Sequence, residues 1–166
     1  MKFRTSIPGG ALRAAEPGDV PVILGFIRAL AEYEHMADQV VASEGLLEDW
    51  LFRRRTARVI LAEQDGKPVG FALFFHNFST FLGRGGIYLE DLFVLPEVRG
   101  KGFGKALLKC LAAIAAEEGC GRLEWSCLDW NRPSIDFYLS LGAKPMDDWT
   151  VYRIDGETLR EMGRAT

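Results

Sequence analysis

A glycine-rich, basic segment at residues 99–105, Arg-Gly-Lys-Gly-Phe-Gly-Lys, has the residue types that bind phosphate groups. Glycine lets the backbone come close to a ligand, and the start of a helix leaves N–H groups unpaired with a partial positive charge. Arg99, Lys101 and Lys105 add formal positive charge around the same turn. Because the segment joins a strand-like run at residues 87–94 to a helix-like run, we expect a cradle for an anion with more than one phosphate.

Two common phosphate-binding motifs do not fit this segment. A Walker loop needs Ser or Thr directly after its Gly-Lys pair to hold magnesium, whereas Gly104 and Lys105 are followed by Ala106. The dinucleotide fingerprint needs two residues between its second and third glycines, whereas only Phe103 separates Gly102 from Gly104. The segment therefore indicates a different phosphate ligand, or a tight connection that binds none.

The composition is that of one globular domain. The chain has 166 residues, of which 48% are hydrophobic and 26% charged, and this excludes a disordered protein. A net charge of −3 without a basic block argues against a nucleic-acid surface. The apolar run at residues 69–75 is far shorter than the ~20 residues that span a bilayer, and residues 5–10 supply no signal-peptide centre. We expect a cytoplasmic protein with no nucleic-acid or membrane partner.

The cysteines and histidines do not form a metal-binding motif in the sequence. Cys110, Cys120 and Cys127 are odd in number and lack ligand spacing, so we expect reduced thiols rather than a disulfide framework. His35 and His76 have no ligand cluster beside them. We therefore expect no metal.

Helical periodicity appears in four places. Asp19 stands where it can cap a first helix that runs to about Glu34. Further helices are predicted at residues 43–55, from residue 102 to before residue 119, and at residues 133–141.

The strand-like runs suggest a sheet built largely from neighbours in sequence. Gln-Asp-Gly-Lys at residues 64–67 has hairpin-turn chemistry, so the flanking strands should pair antiparallel. We predict an α/β fold with a mixed, mostly antiparallel twisted sheet flanked by helices. A single domain is expected at residues 11–166, after an N-terminal extension at residues 1–10 that is free to be disordered. The predicted strands are residues 11–14, 57–63, 69–78, 87–94, 122–128 and 150–154.

The glycine-rich segment and the order of elements resemble the GNAT superfamily of N-acetyltransferases. The Arg-Gly-x-Gly-x-Gly spelling after Leu-Glu-Asp-Leu-Phe-Val-Leu-Pro is similar to that family's coenzyme A pyrophosphate motif. Residues 33–36 (Tyr-Glu-His-Met), 88–91 (Tyr-Leu-Glu-Asp) and 130–138 (Trp-Asn-Arg-Pro-Ser-Ile-Asp-Phe-Tyr) look most like the diamine (polyamine and thialysine) acetyltransferase branch. The resemblance covers the chain from about Leu12. It implies a GNAT fold and an enzyme that uses acetyl-CoA.

The resemblance also implies which residues hold acetyl-CoA. The backbone groups of a strand edge pair with the pantetheine amides, a role that unpaired donors and acceptors suit. The N–H groups of the glycine-rich segment receive the pyrophosphate, while Asn131 and Ser134 place the pantetheine arm or the helix beside it. The cofactor contacts implied in full are Leu92, Phe93, Val94, Arg99, Gly100, Lys101, Gly102, Phe103, Gly104, Lys105, Asn131, Ser134 and Tyr138.

Acetyl transfer to an amine needs a base for the ammonium proton and an acid for the departing thiolate. A lysine-like amine has a reference pKa near 10.4, so about one molecule in a thousand is neutral near pH 7.4. Alternation along a strand sends Glu90 and Asp91 to opposite faces. By resemblance Glu90 contacts the amine and accepts its proton directly or through water, with Asp91 in support or binding a second amine.

By resemblance Tyr138 is the general acid, since a phenol with reference pKa near 10 can protonate a thiolate whose thiol has a pKa near 8.5. Structural roles are the alternatives for all three groups. Glu90 and Asp91 could each pair with a basic side chain, and Tyr138 could be a core residue beside Phe137.

The amine acceptor is expected to meet acidic and aromatic side chains. Acidic residues around a cleft concentrate a polycation, although singly each is as readily a solvated surface charge. Polyamine-acetylating relatives commonly carry an acid and a tryptophan before the glutamate strand, whereas Asn-Phe-Ser-Thr-Phe-Leu at residues 77–82 has neither. Ser79 and Phe81 thus weaken a spermidine assignment and leave a lysine analogue or a short diamine open. The expected contacts are Tyr33, Glu34, Glu90, Asp91, Glu124, Trp125, Ser126 and Asp147.

Our leading hypothesis is an acetyl-CoA-dependent N-acetyltransferase that acts on a primary amine of a small molecule. The amine is a diamine, a polyamine or a lysine-like compound, which attacks directly in a ternary complex. A peptide N-acetyltransferase and a non-catalytic acyl-CoA-binding module are the alternatives. The resembling branch is typically homodimeric, so a homodimer is expected.

Overall fold

The computed structural model describes residues 2–3 and 5–164, which divide into two compact units after Ser126. The first unit contains the sheet and three of the helices, and residues 127–164 contain two short helices. The single domain that we expect at residues 11–166 stays a prediction.

A six-stranded sheet forms the centre of the first unit, with its strands in sequence order. Each pair of neighbours from β1 to β5 is antiparallel, and β6 runs parallel to β5. The mixed, mostly antiparallel sheet is therefore confirmed. The strands are β1 Lys2–Phe3, β2 Gly10–Ala14, β3 Arg58–Gln64, β4 Lys67–Ser79, β5 Arg84–Val94 and β6 Leu123–Trp125.

The ends of the sheet differ from the prediction. Phe3 pairs with Leu12, so part of the segment that we assigned to an N-terminal extension belongs to the sheet. Strand β6 stops at Trp125 because its pairing with β5 ends at Leu89. Residues 150–154 form no strand, and no other strand of the described chain pairs with them.

The turn between β3 and β4 has the predicted hairpin chemistry. Asp65 has a φ of 50° and Gly66 a φ of 78°. Positive φ at both central residues defines the turn type that matches the twist of two antiparallel strands. Gln64 consequently pairs with Lys67 and the hairpin is confirmed.

The described part of the chain contains five α-helices. None of those in the described part of the chain is both long and apolar enough to cross a membrane. The helix predicted at residues 43–55 starts regularly and then widens into a π-helical turn over Glu48–Arg53, where Arg54 N–H bonds to the Asp49 carbonyl at 2.8 Å. The helices are α1 Val20–Tyr33, α2 Glu44–Leu47, α3 Phe103–Glu117, α4 Arg132–Ser140 and α5 Gly156–Arg164, of which α5 was not predicted.

Asp19 does not cap α1 with its side chain. Its carboxylate accepts two hydrogen bonds from Arg13, at 2.7 and 2.8 Å, and one from the Glu16 N–H at 2.8 Å. Arg13 also donates to Glu63 at 2.7 Å. The predicted cap is therefore wrong, because the Asp19 carboxylate forms an ion pair with Arg13 of β2 instead.

Helices α1 and α3 pack apolar side chains against the sheet. Ile23 and Phe26 of α1 belong to one buried cluster with Leu61, Phe71 and Phe93 of three strands. The rings of Phe26 and Phe71 stack with centroids 5.6 Å apart. Helix α3 buries the predicted stripe of Phe103, Leu107, Leu111 and Ile114. This packing fixes the start of α3 beside the end of β5.

Candidate active site

The glycine-rich segment leads into α3, as the sequence predicts. Gly100 has a φ of 79° and Gly102 a φ of 97°, backbone conformations that favour glycine. The first helical hydrogen bond runs from the Ala106 N–H to the Gly102 carbonyl at 2.9 Å. No side chain of the described residues caps this helix start. The N–H groups of residues 103–105 are consequently available to an anion.

A groove of about 740 Å³ lies beside this segment, between the N-terminal residues and α3. Lys101, Lys105 and Lys109 line it together with Gly102, and Ile7 forms part of the facing wall. Two of the lysines predicted near the phosphates thus share one groove with the glycine that precedes α3.

Arg99 is not among the residues that line the groove. Its guanidinium carbon lies 5.0 Å from the Tyr33 ring centroid and 5.7 Å from that of Phe93. Its Nε donates a hydrogen bond to the Val94 carbonyl at 3.0 Å. Arg99 therefore contacts α1 and β5, whereas Lys101 and Lys105, the other two basic residues of the segment, line the groove.

Strand β5 has an open edge at its C-terminal end. Strand β4 pairs with β5 as far as Val94, whereas β6 pairs only with residues 87–89. Within the described chain, no strand pairs with the other edge of residues 90–94. Leu92, Phe93 and Val94, predicted to pair with pantetheine, lie on this edge.

Glu90 lies in a β-bulge. Leu73 of β4 faces Asp91, and the next residue, Phe74, faces Leu89, so Glu90 is the extra residue. A bulge interrupts the alternation of side chains. Regular alternation therefore does not apply at this position, and the opposite facing of Glu90 and Asp91 stays a prediction. Glu90 is exposed and Asp91 is half-buried.

The carboxylate of Asp91 lies within the electrostatic influence of two other carboxylates. Burial, together with the negative charges of Glu90 and Glu34, raises the pKa of Asp91 to about 6. Burial also raises the pKa of Glu34, which directly follows α1. Strongly perturbed carboxylates are typical of functional sites. The sequence favoured Glu90 as the residue that contacts the amine, whereas the carboxylate with the strongly raised pKa is that of Asp91.

The predicted acceptor contacts on β6 and after it already have protein partners. Glu124 accepts a hydrogen bond from Asn77 at 2.9 Å, and its carboxylate lies 2.7 Å from Arg122 Nε. The Ser126 hydroxyl lies 2.7 Å from the Tyr88 hydroxyl. Trp125 stands opposite Leu89, one residue before the bulge. The roles of Glu124, Trp125 and Ser126 toward a substrate stay predictions.

The remaining predicted residues belong to the second unit. Asn131 is buried, and its side-chain oxygen accepts a hydrogen bond from the Ser134 N–H at 3.4 Å, which caps α4. Tyr138 is half-buried on α4, with its ring 5.4 Å from that of Phe137. Asp147 is exposed in the irregular segment between α4 and α5. Asn131 therefore has at least the helix-placing role that the resemblance implied.

Residues 23–143 match the model of the acetyltransferase (GNAT) family. The chain belongs to the GNAT family. The GNAT fold expected from the order of its elements is confirmed.

Two relatives of this GNAT protein are named for the acetylation of a side-chain amine. It is 39% identical to thialysine N-epsilon-acetyltransferase of Bos taurus, over 91% of this chain and 95% of the relative. It is 31% identical to L-ornithine N5-acetyltransferase of Arabidopsis thaliana, over 92% and 87%. An integron cassette protein from the mobile metagenome of V. cholerae superposes with a TM-score of 0.78 at 30% identity, over 94% and 98%. The chain is an acetyl-CoA-dependent N-acetyltransferase.

Proposed function

We propose that this enzyme moves the acetyl group of acetyl-CoA to a primary amine of a small molecule, by direct attack in a ternary complex. The acceptor is a lysine-like amine, a short diamine or a polyamine. The observation that carries this proposal is the group of three carboxylates, Glu34, Glu90 and Asp91, at the open end of β5. Such a group attracts a cationic amine. Relatives named for thialysine and ornithine, which both carry a side-chain amine, support it.

The cofactor lies along the open edge of β5 and across the start of α3. The backbone of residues 92–94 pairs with the pantetheine amides, since no strand pairs with this edge in the described chain. The N–H groups of residues 103–105 bind the pyrophosphate, with Lys101 and Lys105 adding positive charge. This placement leaves the thioester beside the bulge at Glu90.

Glu90 and Tyr138 carry out the two proton transfers. Glu90 accepts a proton from the ammonium group, directly or through water, and the neutral nitrogen then attacks the thioester carbon. Asp91 holds a second positive charge, because a pKa of about 6 leaves this carboxylate ionised at pH 7.4. As the carbon–sulfur bond breaks, Tyr138 gives its proton to the coenzyme A thiolate.

A substrate panel tests the acceptor. Release of free thiol from acetyl-CoA is followed with a thialysine-type amino acid, ornithine, short diamines, spermidine, an aminoglycoside and a lysine-containing peptide. We expect kcat/KM to be highest for the amino acids or short diamines, since the loop with Ser79 and Phe81 lacks an acid for a longer polycation. A peptide that exceeds every free amine in kcat/KM overturns the proposal.

A matched pair of variants tests the acid. Tyr138→Phe removes only the phenolic hydroxyl, and we expect kcat at saturating substrates to fall by about a hundredfold or more. Tyr152→Phe is the control, because Tyr152 is 91% exposed in the irregular segment before α5. Wild-type turnover in Tyr138→Phe contradicts the acid role.

The enzyme acts as a homodimer in the cytoplasm. Trp149 and Val151 are at least 75% exposed on an irregular segment, and a second copy covers them. All three cysteines are free thiols, which fits a reducing compartment. Light scattering after gel filtration at micromolar concentration checks the dimer, and a monomer there contradicts it.

A further inference from the structure

Three side chains of metal-binding type meet at the C-terminal end of α3. His76 of β4, Glu118 directly after α3 and Cys120 each place one ligand atom within 4.8 Å of the other two. His76 and Glu118 are 42 residues apart in the sequence. The expectation that His76 has no ligand cluster is therefore wrong, because the packing of α3 on the sheet assembles one that residue spacing does not show.

The carboxylate of this cluster is already oriented. Glu118 Oε1 accepts a hydrogen bond from Arg58 Nη1 at 2.6 Å, and its Oε2 lies 2.7 Å from His76 Nε2. A carboxylate that an outer hydrogen bond already orients is prearranged to act as a metal ligand.

We propose that His76, Glu118 and Cys120 bind Zn²⁺, with water at the fourth position. Imidazole nitrogen, carboxylate oxygen and thiolate sulfur are the ligand types that zinc takes, whereas Mg²⁺ and Ca²⁺ prefer oxygen alone. Ionised Glu118 and Cys120 neutralise the ion, and the partial negative charge at the end of α3 also favours a cation. The thiol proton passes to solvent as the metal–sulfur bond forms.

The geometry needs only small side-chain movements. Tetrahedral zinc with bonds of about 2.0–2.3 Å holds its ligand atoms roughly 3.3–3.7 Å apart. The histidine and the carboxylate, now 2.7 Å apart, have to separate by less than about 1 Å. The sulfur has to approach from no more than 4.8 Å by a similar amount.

The site is structural rather than part of acetyl transfer. Helix α3 has 15 residues, so the metal at its end lies about 22 Å from the glycine-rich segment at its start. Bound zinc connects the end of α3 to β4. We therefore expect zinc to raise the melting temperature of the enzyme without changing kcat for acetyl transfer.

The full-length, metal-free enzyme is titrated with Zn²⁺ against a chromophoric chelator, and with Co²⁺ to observe the thiolate-to-cobalt charge-transfer band. Wild type should bind one zinc per chain and show the band. Cys120→Ser and His76→Gln should weaken zinc binding by about tenfold or more, and Cys120→Ser should lose the band. Cys127→Ser, which removes a free thiol of the other unit, is the matched control and should bind as wild type does.

Circular dichroism without metal shows whether each variant is folded. A wild-type cobalt complex without the thiolate band overturns the proposal and needs no variant. Equal zinc affinity in wild type and Cys120→Ser overturns it as well. Because the readout is metal binding, failure here is distinct from failure of the proposed acetyl transfer.

Discussion

The guanidinium carbon of Arg99 lies 5.0 Å from the ring centroid of Tyr33, the last residue of α1. Phe93 contacts the same cation from β5, and the Val94 carbonyl accepts its Nε–H. Arg99 therefore ties the end of α1 to the open edge of β5, directly before the glycine-rich segment. This contact lets α1 present Glu34 beside the carboxylates of β5.

Arg99→Gln should destabilise the enzyme more than it affects cofactor binding. The variant loses the cation–π contacts and the hydrogen bond to Val94, so we expect the free energy of unfolding to fall by about 1–2 kcal/mol. Lys105→Gln, which changes a lysine of the groove, should raise KM for acetyl-CoA more than Arg99→Gln does. Urea unfolding and initial rates measure both effects. The reverse order of KM values would mean that the Arg99 guanidinium leaves the rings to bind phosphate.

Asp91→Asn should stabilise the enzyme at high pH. The pKa of Asp91 is raised to about 6 from 3.8, so the folded state keeps a proton that the unfolded state loses in this interval. Its contribution to stability is full below about pH 4 and is lost as the pH rises through 6. The shift corresponds to a destabilisation by the ionised carboxylate of about 3 kcal/mol, which solvent at this half-buried group reduces to roughly 2. In urea unfolding at pH 8 we expect the free energy of unfolding of the variant to be higher than that of wild type by this amount. Below pH 4 we expect little difference.

Glu90→Gln separates stability from catalysis at the same bulge. Glu90 is exposed, so the free energy of unfolding of the variant enzyme should differ from that of wild type by no more than about 0.5 kcal/mol. The kcat/KM of the variant should fall, because it lacks the proton acceptor. A fully active Glu90→Gln enzyme contradicts the role of Glu90 as proton acceptor. For the previous variant, an Asp91→Asn enzyme that is less stable than wild type at pH 8 contradicts the raised pKa of Asp91.

Local signals in the sequence predict the phosphate cradle and the hairpin. Gly100, Gly102 and Gly66 stand where the backbone needs positive φ, and the apolar stripe of α3 follows from its spacing. These features depend on residues within one or two turns of each other. The same kinds of local signal predict the order of the elements, which the structure reproduces from β2 to α4.

Features that depend on tertiary contacts were not predictable in this way. The bulge at Glu90 arises from the register between β4 and β5, and the burial of Asp91 from the packing around it. The contact of Arg99 with Tyr33 is another such feature, because sequence proximity does not show that the end of α1 lies nearby, and the role of Arg99 toward the cofactor stays a prediction. Residues 150–154 have strand-like composition, yet a strand forms only where another pairs with it.

Asp19→Asn should destabilise the enzyme in a pH-dependent manner. The hydrogen bonds from Arg13 lower the pKa of Asp19 despite partial burial, so its stabilising effect is present above the unfolded pKa and is lost as the pH falls through the lower folded value. We expect a loss of about 1 kcal/mol at pH 7 after allowance for solvent screening. Thermal or urea unfolding from pH 7 to pH 3 measures it.

Asp49→Asn is the matched control for this ion pair. Asp49 accepts from Arg54 at 2.6 Å, but these side chains are 32% and 58% exposed, against 15% and 21% for Asp19 and Arg13. An exposed pair contributes little, so the control should change by no more than about 0.5 kcal/mol. Equal losses in the two variants contradict a special role for the Arg13 contact.

Gly102→Ala should weaken both the fold and the binding of acetyl-CoA through the backbone alone. Gly102 has a φ of 97°, whereas an added Cβ has room, with Ile7 Cδ1 the nearest atom at 3.8 Å. The strain costs about 1–2 kcal/mol, and its relief turns the N–H groups of residues 103–105 away from the pyrophosphate. In α1, Gly25 also has room for a Cβ but no positive φ, so Gly25→Ala should stabilise by up to about 1 kcal/mol. Urea unfolding with and without coenzyme A compares the pair, and a Gly102→Ala enzyme that gains stability as the control does contradicts the strained cradle.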